Sequence, residues 1–460
     1  MERNERMKAL EHESVRRLLV QYSLPAIAGM AAMSLYNVID SIFIGHGCGP
    51  LALSGLAVAF PIMNLAVALC TLVGLGSAAA SSIMLGKRDR ATAFRVLGHC
   101  LLLSILLGIL FGWGMLPFLD RILVLFGASP QTLPYARDFM SVLLLVQPLT
   151  FCFINLNHVM RATGYPRKAM WSLLFSMFCN LALAPVFIFG LEWGMTGAAV
   201  ATSLSQAIAF TWVLRHFLQN GSVVHFIRGI YRLKLKLMLR ICFLGMPPCL
   251  MNACGAAITI LINHQLLAHG GDLAVGAFGI INRLLILFAM LVIGITQGMQ
   301  PIAGFNLGAG HFDRVKKVLR YAIVAATGVT TFGFMLCEFI PHAIVAMFTK
   351  DASLAAIAVF GLRASMVIFP LVGSQIVIGN FFQAIGRPVL SVFLALTRQL
   401  LFLAPLLLIL PGYFGQHGVW YSLAISDALS VAVGFGALYC FFRHILNPRQ
   451  APAPSNTPNT

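Results

Sequence analysis

The chain has 460 residues, 59% hydrophobic and only 10% charged, with a mean hydropathy of +0.88. A soluble domain carries about 25% charged residues, so too few polar side chains are present to cover a water-facing surface, and an ordinary soluble or disordered protein is excluded. The net charge of +17, from 31 Lys and Arg against 14 Asp and Glu, would point to nucleic acid on a soluble protein. Here its placement decides what it means.

In chain order, residues 1–17 mix Glu2, Glu5, Glu11 and Glu13 with basic residues. They lack a signal peptide's short apolar core and read as a cytoplasmic N-terminal segment, amphipathic if helical. Twelve apolar segments follow, at about 18–44, 51–76, 95–118, 133–158, 168–190, 194–217, 240–268, 274–300, 316–340, 354–381, 388–410 and 417–442. Each has the roughly 20 residues that a membrane-spanning helix needs. Breaks such as GHGCGP at 45–50 and HGGD at 269–272 separate them. Residues 444–460, rich in Pro, Asn and Thr, read as a disordered cytoplasmic tail.

Alternate breaks carry the bases. Arg3, Arg6, Lys8, Arg16 and Arg17 open the chain, and Lys87, Arg88, Arg90 and Arg95 follow the second span. Further groups lie at 161–168, 215–240, 314–320, 387 and 443–449, whereas the other set of breaks holds only Arg121, Arg137 and Lys350. This bias puts both termini and the linker 219–239 in the cytoplasm. The charge is a topology signal, with some attraction for anionic membrane lipid, and no nucleic-acid partner is expected. The ten cysteines fall mostly in or beside spans and read as small packing residues. No His pair has ligand spacing within one helix, so no metal site is expected.

A shift of 222 residues aligns the chain with itself. Leu24-Pro25 falls on Met246-Pro247, Leu51-Ala52 on Leu273-Ala274, Leu85-Gly86 on Leu307-Gly308, and RATGYP at 161–166 on QAIGRP at 383–388. The expected fold is an all-α polytopic membrane protein of twelve transmembrane helices. They form two parallel six-helix bundles related by pseudo-twofold symmetry, an N-lobe at 18–218 and a C-lobe at 240–443 joined by the basic linker. Two such bundles wall a central cavity, and rocking one against the other gives alternating access. Pro25 and Pro247-Pro248 either kink spans one and seven or begin them.

An ionisable group inside a span is costly, so it faces a cavity or a partner. Asp40 lies deep in span one, with Tyr36 and Asn37 four and three residues earlier on the same helical face. Such a carboxylate can exchange a proton, bind Na⁺ or counter a cationic substrate. Uncharged partners in the same half include Asn155 and Asn157 in span four, Asn180 in span five, and Thr202, Ser205 and Gln206 in span six. Polar side chains also hold membrane helices together, so only as a set do these make a cation site. Of the other acids, Glu338 reads as interfacial and Asp427 sits mid-span in span twelve. The second half instead offers Asn282, Arg283, Gln297, Gln300, Arg363, Arg398 and Gln399. Arg283 and Arg398 are both candidate partners for Asp427 or for helix ends.

Six features together resemble the MATE (multidrug and toxic compound extrusion) family over nearly the whole chain. They are the 6+6 duplication, the LPAI-type Pro, YNVIDSIFIG, RATGYP, NLALAPVFIFGLEWGMTGAAVAT and RQLLFLAPLLLILP. The resemblance implies a bacterial plasma-membrane antiporter that exports organic cations or amphiphilic drugs in exchange for H⁺ or Na⁺. It implies no other cofactor and a working monomer. It also implies an N-lobe cation site at Asp40, Asn180 and Thr202, in which relatives carry a further span-five Asp where this chain has Ala184. A site with one carboxylate favours H⁺ over Na⁺. A flippase for a lipid-linked or polysaccharide substrate would show more charges in the spans. A membrane-embedded enzyme would need paired acids, HExxH or a Ser/His arrangement, and no phosphate-binding GxxxxGK[ST] loop is present.

Overall fold

A computed structural model describes residues 10–48, 50–126, 128–219, 222–226, 234–348 and 351–444. The tail beyond 444, residues 1–9 and most of the linker lie outside the described residues. All regular structure among them is helical. The helices are α1 Val15–Cys48, α2 Pro50–Gly86, α3 Arg90–Leu125, α4 Leu133–Ala162, α5 Pro166–Gly190 and α6 Gly194–Leu218. The second half has α7 Leu235–Gly271, α8 Leu273–Gly308, α9 Phe312–Phe339, α11 Pro388–Phe414 and α12 Gln416–Arg443. Between α9 and α11, α10 is the pair Ala352–Met366 and Phe369–Ala384, bent by 54°. Among the described residues ten helices are long and apolar enough to cross a membrane, and the bent pair makes an eleventh. The remaining helix, α1, is 34 residues long and occupies the first predicted span.

Most helices outrun the apolar stretches that announce them. The clearest case is α2, which continues through Ser77, Ser81 and Ser82 to Gly86 with all three serines buried. Small side chains there let another helix approach, so packing rather than hydropathy carries the helix on. Pro25 and Pro247-Pro248 lie about ten residues inside α1 and α7, which removes the helix-start reading. Pro248 cannot donate to Leu244, and Gln383 Nε2 of α10 donates to that carbonyl instead, at 3.1 Å.

The duplication recurs in backbone geometry. Gly164 and Gly386, 222 residues apart, both adopt positive φ (101° and 75°). Each is followed two residues later by a Pro that opens the next helix.

Burial shows how the two halves meet. One apolar cluster takes residues from both: Leu18, Val73 and Met84 of α1–α2 pack with Ile241, Met299 and Ile302 of α7–α8. It lies at the end that carries the basic loops. Towards the other end the core divides. One cluster, with Ile62, Phe139 and Ile188, belongs to the first half alone. The other, with Ile262, Phe278 and Trp420, belongs to the second. Among the described residues the lobes share one core at the basic end and keep separate cores at the opposite one. Residues 10–13 tie the joined end further. Arg314 Nη2 donates to the carbonyls of Leu10 (3.2 Å) and Glu13 (2.7 Å), and Glu11 pairs with Arg88 at 3.4 Å.

Candidate functional site: a buried acid in the N-lobe

The site begins with how α1 lies on α5. Gly29 faces Leu173, and Gly47 faces Ile188 and Phe189. The two helices therefore run side by side in the same direction, which brings Asp40 level with the turn Asn180–Ala184. Asn180 Nδ2 donates to Thr202 Oγ1 at 3.1 Å, joining α5 to α6. Asp40, Asn180, Ala184 and Thr202 are all buried, Asp40 being 9% exposed. Asp40 Oδ1 is buried without a hydrogen-bond partner. A carboxylate inside a spanning helix is costly to insert unless it is neutralised or paired. An unpartnered oxygen adds to that cost. Two events relieve it: protonation, or pairing with a cation. Thr202 and Asn180, joined to each other on the neighbouring helices, carry oxygens but no charge, and Ala184 adds nothing polar. Tyr36 and Asn37 lie in helical α1 one turn nearer the basic end, and their side chains are outside the described residues.

The weaker candidates divide by where their hydrogen bonds go. Asn157 is committed to the inside of the lobe: its Nδ2 donates to Ala169 O (2.8 Å) and Ser172 Oγ (2.7 Å), stitching α4 to α5. Gln206 Oε1 accepts from Thr150 Oγ1 at 2.5 Å, linking α6 to α4. Gln297 lies in the joint between lobes, with Nε2 3.8 Å from Met30 Sδ, and its neighbour Gln300 donates to Leu75 O at 3.3 Å. Asn282 is half-buried and Arg283 exposed. Of the two bases offered to Asp427, Arg398 takes it, Nε to Oδ1 at 2.7 Å. Glu338 pairs with Arg363 at 3.6 Å.

Sequence reasoning missed the joint itself. A Cβ on Gly245 of α7 would strike the Leu72 carbonyl of α2, and one on Gly298 of α8 would strike Ser23 of α1. A Cβ on Gly294 would lie 2.6–2.9 Å from Ile27. The signal was present: Gly294 and Gly298, and Gly304 and Gly308, have the four-residue spacing of closely packed membrane helices.

The MatE family model matches residues 25–186 and 244–409, one stretch in each lobe. The chain belongs to the MatE family. It is thus a multi-pass membrane transporter with two helical lobes. The multidrug export protein MepA of Staphylococcus aureus (strain N315) is 27% identical over 438 residues, covering 95% of this chain and 96% of that one. Among solved structures, the MATE multidrug transporter DinF-BH in complex with R6G is 34% identical, with a TM-score of 0.86 over 93% of this chain and 96% of that one. A multidrug resistance MATE family transporter of the MOP superfamily in an outward-facing conformation has a TM-score of 0.87 at 24% identity, over 95% and 97%. The last likeness concerns the fold.

Proposed function

We propose that this transporter exports cationic or amphiphilic organic compounds from a bacterial cell in exchange for H⁺, with Asp40 as the coupling group. The observation that carries the reading is the buried Asp40 Oδ1, which has no hydrogen-bond partner among the described residues. A proton and an organic cation compete for one carboxylate, so their binding is mutually exclusive, as antiport requires. The similar proteins that export or bind several drugs support the substrate class. H⁺ is preferred to Na⁺ because a Na⁺ site needs several oxygen ligands, and Ala184 removes a carboxylate that relatives supply.

With the basic loops on the cytoplasmic side, the joined end faces the cytoplasm and the divided end faces outward. In this arrangement Asp40 is ready to release substrate and take a proton from outside. Proton loading then favours closure of the outer end and parting of the inner seam. Both lobes lie in one chain, so a monomer suffices.

Purified protein in liposomes tests the coupling, with pH and Na⁺ gradients imposed independently. The reading expects ethidium movement against a pH gradient in the absence of Na⁺. Movement that requires Na⁺ at every pH would overturn the choice of ion.

A further inference from the structure

The second lobe holds a polar pocket that the scheme above does not use. It is a cleft of ≈ 60 Å³ between α7, α10 and α11, lined by Arg398, Gln399, Gln375 and Asn380, among others. A cavity of about 10–15 Å³ already holds one water, so the cleft has room for a group the size of a carboxylate. Arg398 stands in a π-helical stretch of α11, Thr397–Leu403. Such stretches insert an extra residue into the helix and re-aim its side chains, often at functional sites.

The guanidinium offers five N–H groups in a planar fork. Its Nε is spent on Asp427 Oδ1 at 2.7 Å, and no hydrogen bond is made by Nη1 or Nη2 among the described residues. The Arg398 side chain is 27% exposed. In mid-span, that exposure is tolerable where it faces a water-filled cavity rather than lipid. Gln375, 8% exposed overall, and Gln399 each have an amide oxygen that is buried without a partner. Either amide can turn to present its NH₂. Among the described residues no acid lines the cleft.

We propose that this cleft binds the carboxylate of a zwitterionic amphiphile, the Arg398 fork and the Gln375 and Gln399 amides donating to it. The planar guanidinium matches a carboxylate in two-point contact. Asp427 holds the fork in place through the one nitrogen that the ligand does not need. The inference rests on the reading of Asp40 as the site of the positive group, and adds a second point of attachment in the other lobe. The substrate class then includes amphiphiles bearing both charges.

The test is equilibrium binding to the purified full-length protein, read by fluorescence polarisation. The probes are rhodamine 6G, an ester cation, and its free acid, which differ only in the carboxylate. Wild-type protein is expected to bind both. Arg398→Gln is expected to lower the ratio of acid affinity to ester affinity at least tenfold, about 1.4 kcal/mol. Arg398→Lys keeps a charge against Asp427 but loses the fork, and lowers the ratio in the same direction by less. Gln375→Glu places a like charge in the cleft and also lowers it, which serves if the arginine variants do not fold. An unchanged ratio in the folded variants overturns the subsite and leaves Arg398–Asp427 as a tie between α11 and α12. Ester binding that survives with an unchanged ratio sinks this inference alone. Failure of the wild type to bind the ester sinks the proposed substrate class with it.

Discussion

Replacing Gly245 by alanine puts a methyl group into the narrowest part of the joint between the lobes. The new Cβ would overlap the Leu72 carbonyl oxygen and lie 2.5 Å from its carbon, where ordinary contact begins at 3.4 Å. The neighbour is backbone of a packed helix, so no side chain can swing away. The two helices must part, and only the joined state contains this contact. Overpacking of this kind costs about 1–3 kcal/mol, which shifts the balance between joined and parted states about 5- to 150-fold. Cys242, partly buried against the shared cluster three residues away, is a native reporter. Its alkylation rate in purified protein, followed by mass spectrometry, is expected to rise at least about fivefold. Cys254, further along α7, is the internal reference. Gly328→Ala is the control, because its Cβ would meet nothing within 4 Å. An unchanged Cys242 rate in folded Gly245→Ala protein, or an equal rise in Gly328→Ala, would refute the seam as the closure.

Two further outcomes follow from the same geometry. Ala184→Asp places a second carboxylate one helical turn from Asn180, and transport is expected to gain a dependence on Na⁺; drug movement that still ignores Na⁺ would count against one missing acid as the reason for H⁺ preference. Asp89 caps α3, its carboxylate accepting from Thr92 N at 3.0 Å. Hydrogen bonding to Thr92, aided by Arg95 and Lys87, holds its carboxyl below the usual carboxylate range. The cap is therefore fully present above the ordinary carboxylate pKa and fades as pH falls through the lower folded value. Asp89→Ala should cost about 1 kcal/mol, seen as faster hydrogen exchange at the start of α3 near neutral pH.

Hydropathy made the spans legible because a bilayer forces each crossing to be long, apolar and internally hydrogen-bonded. It did not mark where helices end. The continuation of α2 to Gly86 depends on small residues meeting α8, a contact between residues over 200 positions apart. Asp40 was legible because an acid in an apolar span has few explanations. Asn157 and Gln206 looked equally polar on paper. Only their neighbours in space, Ser172 and Thr150, show that their hydrogen bonds bind helix to helix. Arg398, which takes Asp427, stands in a π-helical stretch whose register no periodicity announces.

The central claim is that one carboxylate, Asp40, exchanges a proton for a drug. Its most direct measurement is proton movement driven by substrate. Protein is reconstituted in liposomes that enclose a pH-sensitive dye, an ethidium gradient is imposed without Na⁺, and wild type is compared with Asp40→Asn, which keeps the side chain's size but cannot ionise. Wild-type liposomes are expected to show a pH change opposite in direction to ethidium flow, and Asp40→Asn liposomes none. Substrate-driven proton movement of equal size in the folded Asn variant would contradict the account.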